Sequence, residues 1–232
     1  DQLKEKLLSP PWPSRNVELN LHDIKAKLAA NKKGEAELKK LFKISGTEHV
    51  FSMSEAIMDY SHRKIVTIFQ DQKECSASKE ITPERKIAVT VTKEGEKTVF
   101  DFKGTSKALP NNFNAPLPVV KATVLFVLRS LIREDIPLND GILRGIDIRV
   151  PKDSMLNPPQ GAAVVAGNVE TSQALCDLLF EALKVKANSQ GTMNNLSFGN
   201  QRYQYYETIG GGSGATLKRD GASALQVNIT NS

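Results

Sequence analysis

A change of hydrophobic periodicity near residue 86 constrains the fold of this chain more than any other feature. Before it, residues 16–69 place apolar side chains at intervals of three and four, the period of amphipathic helices. From Lys86 onward, "KIAVTVTKEGEKTVFDFKG" alternates on both sides of a Glu-Gly pair, which predicts a β-hairpin. Helices early in the chain and strands later favour an α+β fold.

The helical section contains three predicted helices. "VELNLHDIKAKLAAN" predicts the first, for which Asn31 and Gly34 are suitable stops, and "EAELKKLFKI" predicts a short second helix that ends at Gly46. "EHVFSMSEAIMDYSHRKIVTIF" predicts a long amphipathic third helix. The polar residues 70–84, which include Pro83 near their end, predict a linker.

Two buried helices and a second hairpin are predicted in the rest of the chain. "VVKATVLFVLRSLIRE" is apolar on most sides, and "GNVETSQALCDLLFEALKVK" begins with Asn168, Thr171 or Ser172 as its N-cap. "GIDIRVP" predicts a strand, and "LSFGNQRYQYYET" alternates around Gly199-Asn200, which predicts a hairpin. "ALQVNIT" predicts a final short strand.

The length of 232 residues allows one large domain or two small ones. We expect a helical section over residues 1–70 and an α+β domain with Gly/Asn-rich loops over residues 85–232, with one continuous domain as the alternative. Hydrophobic residues make up 40% of the chain, which predicts a buried core. The chain does not begin with Met, so we expect it to be a piece of a longer polypeptide.

The formal net charge of +5 is concentrated in a lysine-rich run between Lys25 and Lys43. A nucleic-acid surface would produce such a run, and so would the solvated face of two helices. No aromatic residue interleaves with the lysines until Phe42, so a base-stacking platform is not indicated. We therefore expect no nucleic-acid partner.

The cysteines and apolar runs predict a cytoplasmic protein without a membrane span. Cys75 and Cys176 form no metal-ligand pattern and fit a reducing compartment, and Cys176 lies in an apolar helical pattern. Lys121 and Arg129 interrupt the longest apolar run. The charged start "DQLKEKLLSPPWP" is not a signal peptide.

The glycine cluster "IGGGSGA" matches none of three known catalytic or nucleotide-binding motifs. A Walker A loop needs a Lys directly after its last Gly, and here the first Lys is Lys218. The dinucleotide fingerprint must open a helix, and "TLKRDGAS" is a poor helix. A nucleophile elbow needs Gly where Ala215 stands. Two interpretations remain: backbone N–H groups turned toward an anion, or a tight turn without a ligand.

Residues 187–200, "ANSQGTMNNLSFGN", are rich in carboxamides and carry no charge. All three histidines precede residue 63, so a general base built in the second half would be a carboxylate. Glu207 ends a predicted strand directly before the glycines and is our candidate catalytic residue. The sequence predicts no metal ligands in this chain.

Several long, irregular motifs occur in one order: "FDFKGTS", "NAPLPVVKATVLFVLRSLIREDIPLNDGIL", "LNPPQGAAVVAGNVETSQ", "SQGTMNNLSFG" and "YYETIGGGSGA". Together they resemble the hydantoinase B/oxoprolinase family. Residues 16–69 resemble the helical region that precedes these motifs in that family. The resemblance covers nearly the whole chain.

The resemblance implies a B-type component of an ATP-dependent hydrolase that opens the ring of a hydantoin, oxoproline or lactam. An actin-like A-type partner would bind ATP and phosphorylate the substrate oxygen. Family members are longer, and the divalent metal would lie in an N-terminal region without a counterpart here. We thus expect no cofactor within this chain, a hetero-oligomer, and no activity of the chain alone. The alternatives are a subunit of a related ketone carboxylase and a non-catalytic structural relative.

The resemblance also directs attention to carboxamides and glycines that would orient a polar substrate or hold a subunit contact. These candidate substrate-binding residues are Asn168, Glu170, Gln190, Asn194, Asn195, Gly211 and Gly212. The chain departs from the family at Gln226 and Asn228, where histidines are common. An amide cannot act as a base, although it can still form hydrogen bonds, so these positions motivate the non-catalytic alternative.

Overall fold

A computed structural model describes residues 2–228 of the chain. Its α-helices are α1 (Gln2–Leu8), α2 (Val17–Ser45), α3 (Thr47–Phe69), α4 (Leu117–Leu131) and α5 (Thr171–Ala182). Its strands are β1 (Cys75–Thr82), β2 (Arg85–Glu94), β3 (Lys97–Asp101), β4 (Ile146–Arg149), β5 (Asn195–Gly199) and β6 (Gln204–Thr208). Two short 3₁₀ helices span Asp140–Leu143 and Val165–Gly167. The predicted α+β class is confirmed.

Contacts divide the chain into two compact units, residues 1–56 and 57–232. The first unit contains α1, α2 and the beginning of α3. The Asn16 side chain caps α2 by accepting a hydrogen bond from the Leu19 N–H, at 3.1 Å. None of the 29 residues of α2 is buried, in agreement with its high lysine content.

The predicted stop at Asn31 and Gly34 is wrong, because α2 continues through both residues. Glycine inside a helix costs only about 1 kcal/mol relative to alanine, so a single glycine does not end a helix. Ion pairs one turn apart, such as Lys33 with Glu37, support the helix beyond this point. The helix ends at Ser45, with Gly46 at φ of +80° as its C-cap, so the predicted stop is confirmed, but the predicted short second helix is part of α2.

The second unit is built on a four-stranded sheet in the order β1-β2-β3-β4. The first three strands pair antiparallel, and β3 pairs parallel with β4. Helix α5 contacts β1 and β2, and α4 packs against α5. Apolar side chains from one face of β2 and from both helices form the core, which includes Ile87, Val89, Val91, Val124, Leu128, Leu175 and Leu178.

Strand β1 lies where the sequence predicted a linker, so that prediction is wrong. Its inward positions are half-buried and include Cys75, Ala77 and Lys79, which do not form a hydrophobic strand pattern. Pairing with β2 stabilises the strand, although its own residues do not predict one. Tertiary context therefore decides this segment.

The other predicted strands and helices are largely confirmed. The hairpins β2–β3 and β5–β6, strand β4 and the buried helices α4 and α5 lie where the patterns placed them. The N-cap of α5 is instead Glu170, whose side chain makes no capping hydrogen bond. Residues 224–228 form no strand, and the rest of the predicted last strand lies outside the described residues.

Cys176 is fully buried in the core, as the helical pattern predicted. Burial raises the pKa of its thiol, and the neighbouring Asp177 acts in the same direction. Between residues 2 and 228, no helix combines the length and the apolar composition needed to cross a bilayer.

Candidate functional site

A cavity of about 650 Å³ opens between the first turns of α4 and α5, and we call it the α4–α5 cavity. Hairpin β5–β6 contributes one wall. The lining residues are Pro118, Val119, Ala122, Thr123, Asn168, Val169, Ser172, Met193, Tyr206 and Thr208. None of these side chains carries a charge, so the cavity combines apolar walls with neutral hydrogen-bonding groups.

Close packing between two loops holds the start of α5 beside the start of α4. A Cβ on Gly167 would lie 2.6 Å from the backbone oxygen of Asn114, so only glycine allows this approach. The Thr171 hydroxyl donates a hydrogen bond to the Phe113 carbonyl at 2.6 Å. The buried Asn114 carboxamide donates to the carbonyls of Leu109, Asn111 and Ala163. These contacts therefore hold the beginning of α5 against the segment that precedes α4.

Asn168 presents a free carboxamide to the α4–α5 cavity. Its side chain is exposed and makes no hydrogen bond with any other group in residues 2–228. The Ser172 and Thr123 hydroxyls instead donate to backbone carbonyls of their own helical turns. Asn168 thus offers both a donor and an acceptor to a ligand.

Asn195 and Asn194 shape the hairpin wall of the cavity. The Asn195 side-chain oxygen accepts hydrogen bonds from the Tyr206 hydroxyl at 2.8 Å and from the Thr208 hydroxyl at 3.2 Å. Asn194 has a left-handed backbone, with φ of +56°, and donates to the Ile209 carbonyl at 3.2 Å. Both asparagines therefore act through other residues, and neither lines the cavity itself.

Glu170 is engaged with protein groups behind the cavity. Its carboxylate accepts a hydrogen bond from the Thr192 hydroxyl at 2.6 Å. Nearby, the buried Arg85 guanidinium lies 4.2 Å from the centre of the Phe113 ring. Burial lowers the pKa of Arg85, and the negative charge of Glu170 opposes that effect. Glu170 therefore compensates a buried cation and does not line the cavity.

A second depression, which we call the glycine cleft, brings together the predicted residues Gln190, Gly211 and Gly212. Its volume is about 350 Å³. The lining residues are Asn188, Ser189, Gln190, Gly211, Gly212, Ser213, Gly221, Ala222 and Ser223. The cleft is neutral, as the composition of residues 187–200 indicated.

The glycine run at residues 210–214 permits close packing against the segment 187–190. A Cβ on Gly211 would lie 1.0 Å from the Gln190 side-chain oxygen, and a Cβ on Gly214 would lie 1.8 Å from the Ala187 carbonyl oxygen. The Gln190 amide group donates to the Thr192 carbonyl at 2.9 Å, which holds the side chain in place. Close packing therefore explains why positions 211 and 214 carry no side chain.

Gly214→Ala is expected to lower the free energy of unfolding by about 1–3 kcal/mol, because the new methyl group meets backbone that cannot move alone. Gly211→Ala should cost less, since the Gln190 side chain can swing away. Urea denaturation of both variants measures the difference. Equal stability losses would contradict this assignment.

Glu207 lies on the other face of the hairpin from the cavity. Residues alternate along β6, so Tyr206 and Thr208 line the cavity while Glu207 faces away. Its carboxylate accepts a hydrogen bond from the Tyr205 hydroxyl, which raises the pKa of Tyr205. This placement gives no support to a catalytic role for Glu207.

The described residues do not fit a divalent metal. Within residues 2–228, no three His, Cys, Asp or Glu side chains come together in a way that could hold one.

Gln226 donates to the Thr208 carbonyl at 2.8 Å, and Asn228 donates to the Asp177 carboxylate at 3.0 Å. Both amides therefore have the hydrogen-bonding role that an amide can still fill at these positions.

Three side chains of the cavity and the cleft region were not predicted from the sequence: Tyr206, Thr208 and Asp177. Tyr206 and Thr208 share a strand face with each other, but periodicity alone does not reveal what that face meets. Asp177 is a carboxylate inside an apolar helical stripe, and that unusual position was the available signal.

The sequence matches the model of the hydantoinase B/oxoprolinase family over residues 3–232. The chain belongs to this family. It is 37% identical to 5-oxoprolinase 1 of Arabidopsis thaliana over 240 residues, which cover 94% of the chain and 19% of that protein. The chain thus spans about a fifth of this relative.

Two solved structures show the same fold at low sequence identity. The ATP-dependent caprolactamase from Pseudomonas jessenii superposes with a TM-score of 0.72 at 19% identity, covering 91% of this chain and 40% of that one. Nucleotide-free acetone carboxylase gives a TM-score of 0.68 at 14% identity, covering 84% and 31%. These similarities show that this chain has the fold of a part of each of these two proteins.

Proposed function

We propose that this chain forms the substrate-orienting part of the B-type component of an ATP-dependent cyclic-amide hydrolase. The free Asn168 carboxamide in an uncharged cavity carries the proposal. A ring amide is held cis, so its N–H and C=O groups lie side by side on one edge. A primary carboxamide complements that edge with one acceptor and one donor.

The rest of the α4–α5 cavity suits the remainder of such a ring. Val119, Ala122, Val169 and Met193 offer apolar surface to ring methylene groups. A volume of about 650 Å³ lies within the usual range of ligand pockets. Family membership and the 5-oxoprolinase relative support the same substrate class.

The chemistry requires groups beyond those that line the cavity. An amide carbonyl is a poor electrophile, and phosphorylation of its oxygen by an ATP-binding A-type partner would make that oxygen a leaving group. Water would then need a base or a metal, and the cavity-lining residues supply neither. The role of this chain is therefore to bind and orient the ring.

A ketone-carboxylase subunit is the second candidate, because acetone carboxylase shares the fold. A ketone offers only an acceptor, so the donor and acceptor of Asn168 favour an amide. Gln226 and Asn228 form hydrogen bonds within the fold, and neither amide can act as a base, so turnover separates the non-catalytic alternative from the proposal.

A turnover assay tests the proposal on the complete protein that carries this chain, together with an A-type partner and ATP. The substrates are 5-oxoproline, hydantoin and ε-caprolactam, with acetone plus bicarbonate as the ketone arm. We expect ADP release coupled to a ring-opened product. Carboxylation of acetone, or no ring opening while the partner hydrolyses ATP, would overturn the proposal.

A further inference from the structure

We infer that Asp177 is a positioning residue that ties together the two walls of the glycine cleft. One wall is formed by residues 188–190. The other wall includes residues 221–223, from which the chain continues to Asn228.

This inference rests on the proposed function, because both segments that Asp177 joins continue to residues of the α4–α5 cavity. Residues 188–190 lead to Met193, and Gln226 donates a hydrogen bond to the Thr208 carbonyl.

The Asp177 carboxylate is fully buried and accepts hydrogen bonds from both segments. One carboxylate oxygen accepts from the Ser189 backbone N–H at 3.0 Å. The Ser189 hydroxyl lies 2.8 Å and 3.0 Å from the two oxygens. The Asn228 amide nitrogen lies 3.0 Å from the carboxylate and 3.1 Å from the Ser189 hydroxyl. Asp177 thus joins Ser189 to Asn228.

The neighbouring groups strengthen this junction. The Lys186 ammonium donates to the Asn228 side-chain oxygen at 3.1 Å and lies 4.6 Å from the centre of the Phe180 ring. A Cβ on Gly191 would lie 3.7 Å from an Asp177 oxygen and 3.8 Å from the Lys79 ammonium. The buried Asp177 carboxylate therefore has hydrogen-bond donors from Ser189 and Asn228, and Lys186 in turn holds the Asn228 side chain.

The junction positions residues that face the cleft. Ser189 lines the cleft and precedes Gln190, whose side chain packs on Gly211. Without the carboxylate, the Ser189 N–H and the Ser189 hydroxyl would lose the group that accepts their hydrogen bonds. The next residue, Gln190, would then be held less firmly. We expect weaker substrate binding with little change in the chemical step, because Asp177 itself lines neither the cleft nor the α4–α5 cavity.

Position 228 supplies a hydrogen-bond donor to this junction. The family resemblance predicts a histidine near here, and an imidazole N–H can donate as the Asn228 amide does. In the contact with Asp177, position 228 needs only to donate a hydrogen bond. Asn228 can therefore take the place of a donating histidine, and its presence does not by itself imply lost activity. Asn228→His should therefore preserve the junction, and Asn228→Leu should break it.

The test compares variants of the complete protein with its A-type partner, using whichever of 5-oxoproline, hydantoin and ε-caprolactam the wild type opens. Asp177→Asn and Asn228→Leu should raise KM by about tenfold and leave kcat within about threefold. Asn228→His should stay within about threefold in both constants. Asp135→Asn, at an exposed carboxylate, is the matched control.

Hydrogen exchange measured by mass spectrometry provides a readout that does not depend on activity. Asp177→Asn should speed exchange in peptides covering residues 186–192 and 221–228, with the β2–β3 hairpin unchanged. If Asp177→Asn does not fold, Ser189→Ala is judged by the same criteria. Unchanged exchange and KM, or equal effects of the two Asn228 variants, would overturn the inference. If the wild type opens no ring but the exchange pattern is found, the proposed function fails and the junction stands.

Discussion

Asn168→Ala should lower kcat/KM of the complete enzyme for a cyclic amide by about thirtyfold. The variant removes one donor and one acceptor, and each hydrogen bond to the ring edge contributes about 1 kcal/mol. A total of about 2 kcal/mol corresponds to this factor. The fold should be unaffected, because the Asn168 side chain is exposed and makes no hydrogen bond within residues 2–228.

Two further variants make this prediction specific. Asn168→Asp keeps the shape but places a carboxylate against the substrate carbonyl, so kcat/KM should fall at least as far. Asn112→Ala removes an exposed carboxamide outside the cavity and should leave turnover unchanged. Initial rates of ring opening measure all three. Wild-type kcat/KM in Asn168→Ala would remove the main support for the proposed function.

Phe100→Ala should lower the free energy of unfolding by about 3–5 kcal/mol, the usual cost of deleting a buried aromatic ring. Phe100 is fully buried on β3, and its ring meets the edge of Phe69 with 6.0 Å between centroids. The cavity left behind would lie at the junction of the sheet and α3. Urea denaturation followed by circular dichroism measures the change.

The matched control is Phe198→Ala, at an exposed phenylalanine of β5. Phe198 is 61% exposed and stacks on Tyr205 with 4.9 Å between ring centroids. Its loss should cost no more than about 1 kcal/mol. If the two variants were destabilised equally, Phe100 would not belong to a cooperative core.

Local patterns predicted those elements whose own residues determine their structure. Gly95, with φ of +60°, marks the turn of the β2–β3 hairpin, and the alternation on both sides of it was clear in the sequence. Strand β1 was missed because Ala77 and Lys79 carry no hydrophobic alternation, and its strand form depends on the edge of β2. The break predicted in α2 failed because a single glycine does not end a helix.

The candidate site was only partly predictable, because its geometry depends on contacts distant in sequence. Gln190 and Gly211 were both chosen from composition and resemblance, and the fold places them in contact. Asn168 was also chosen, but its partners in the cavity, Tyr206 and Thr208, became evident only from the fold. Glu207 was selected for its place in the sequence, and strand alternation turns it away from the cavity.

The close contact between Gln190 and Gly211 couples the residues that are allowed at two positions distant in sequence. A larger residue at position 211 is compatible with this backbone only if the side chain at position 190 moves away or shortens. Substitutions at these positions should therefore co-vary among relatives. Any redesign of the cleft at position 211 should therefore choose the residue at position 190 together with it.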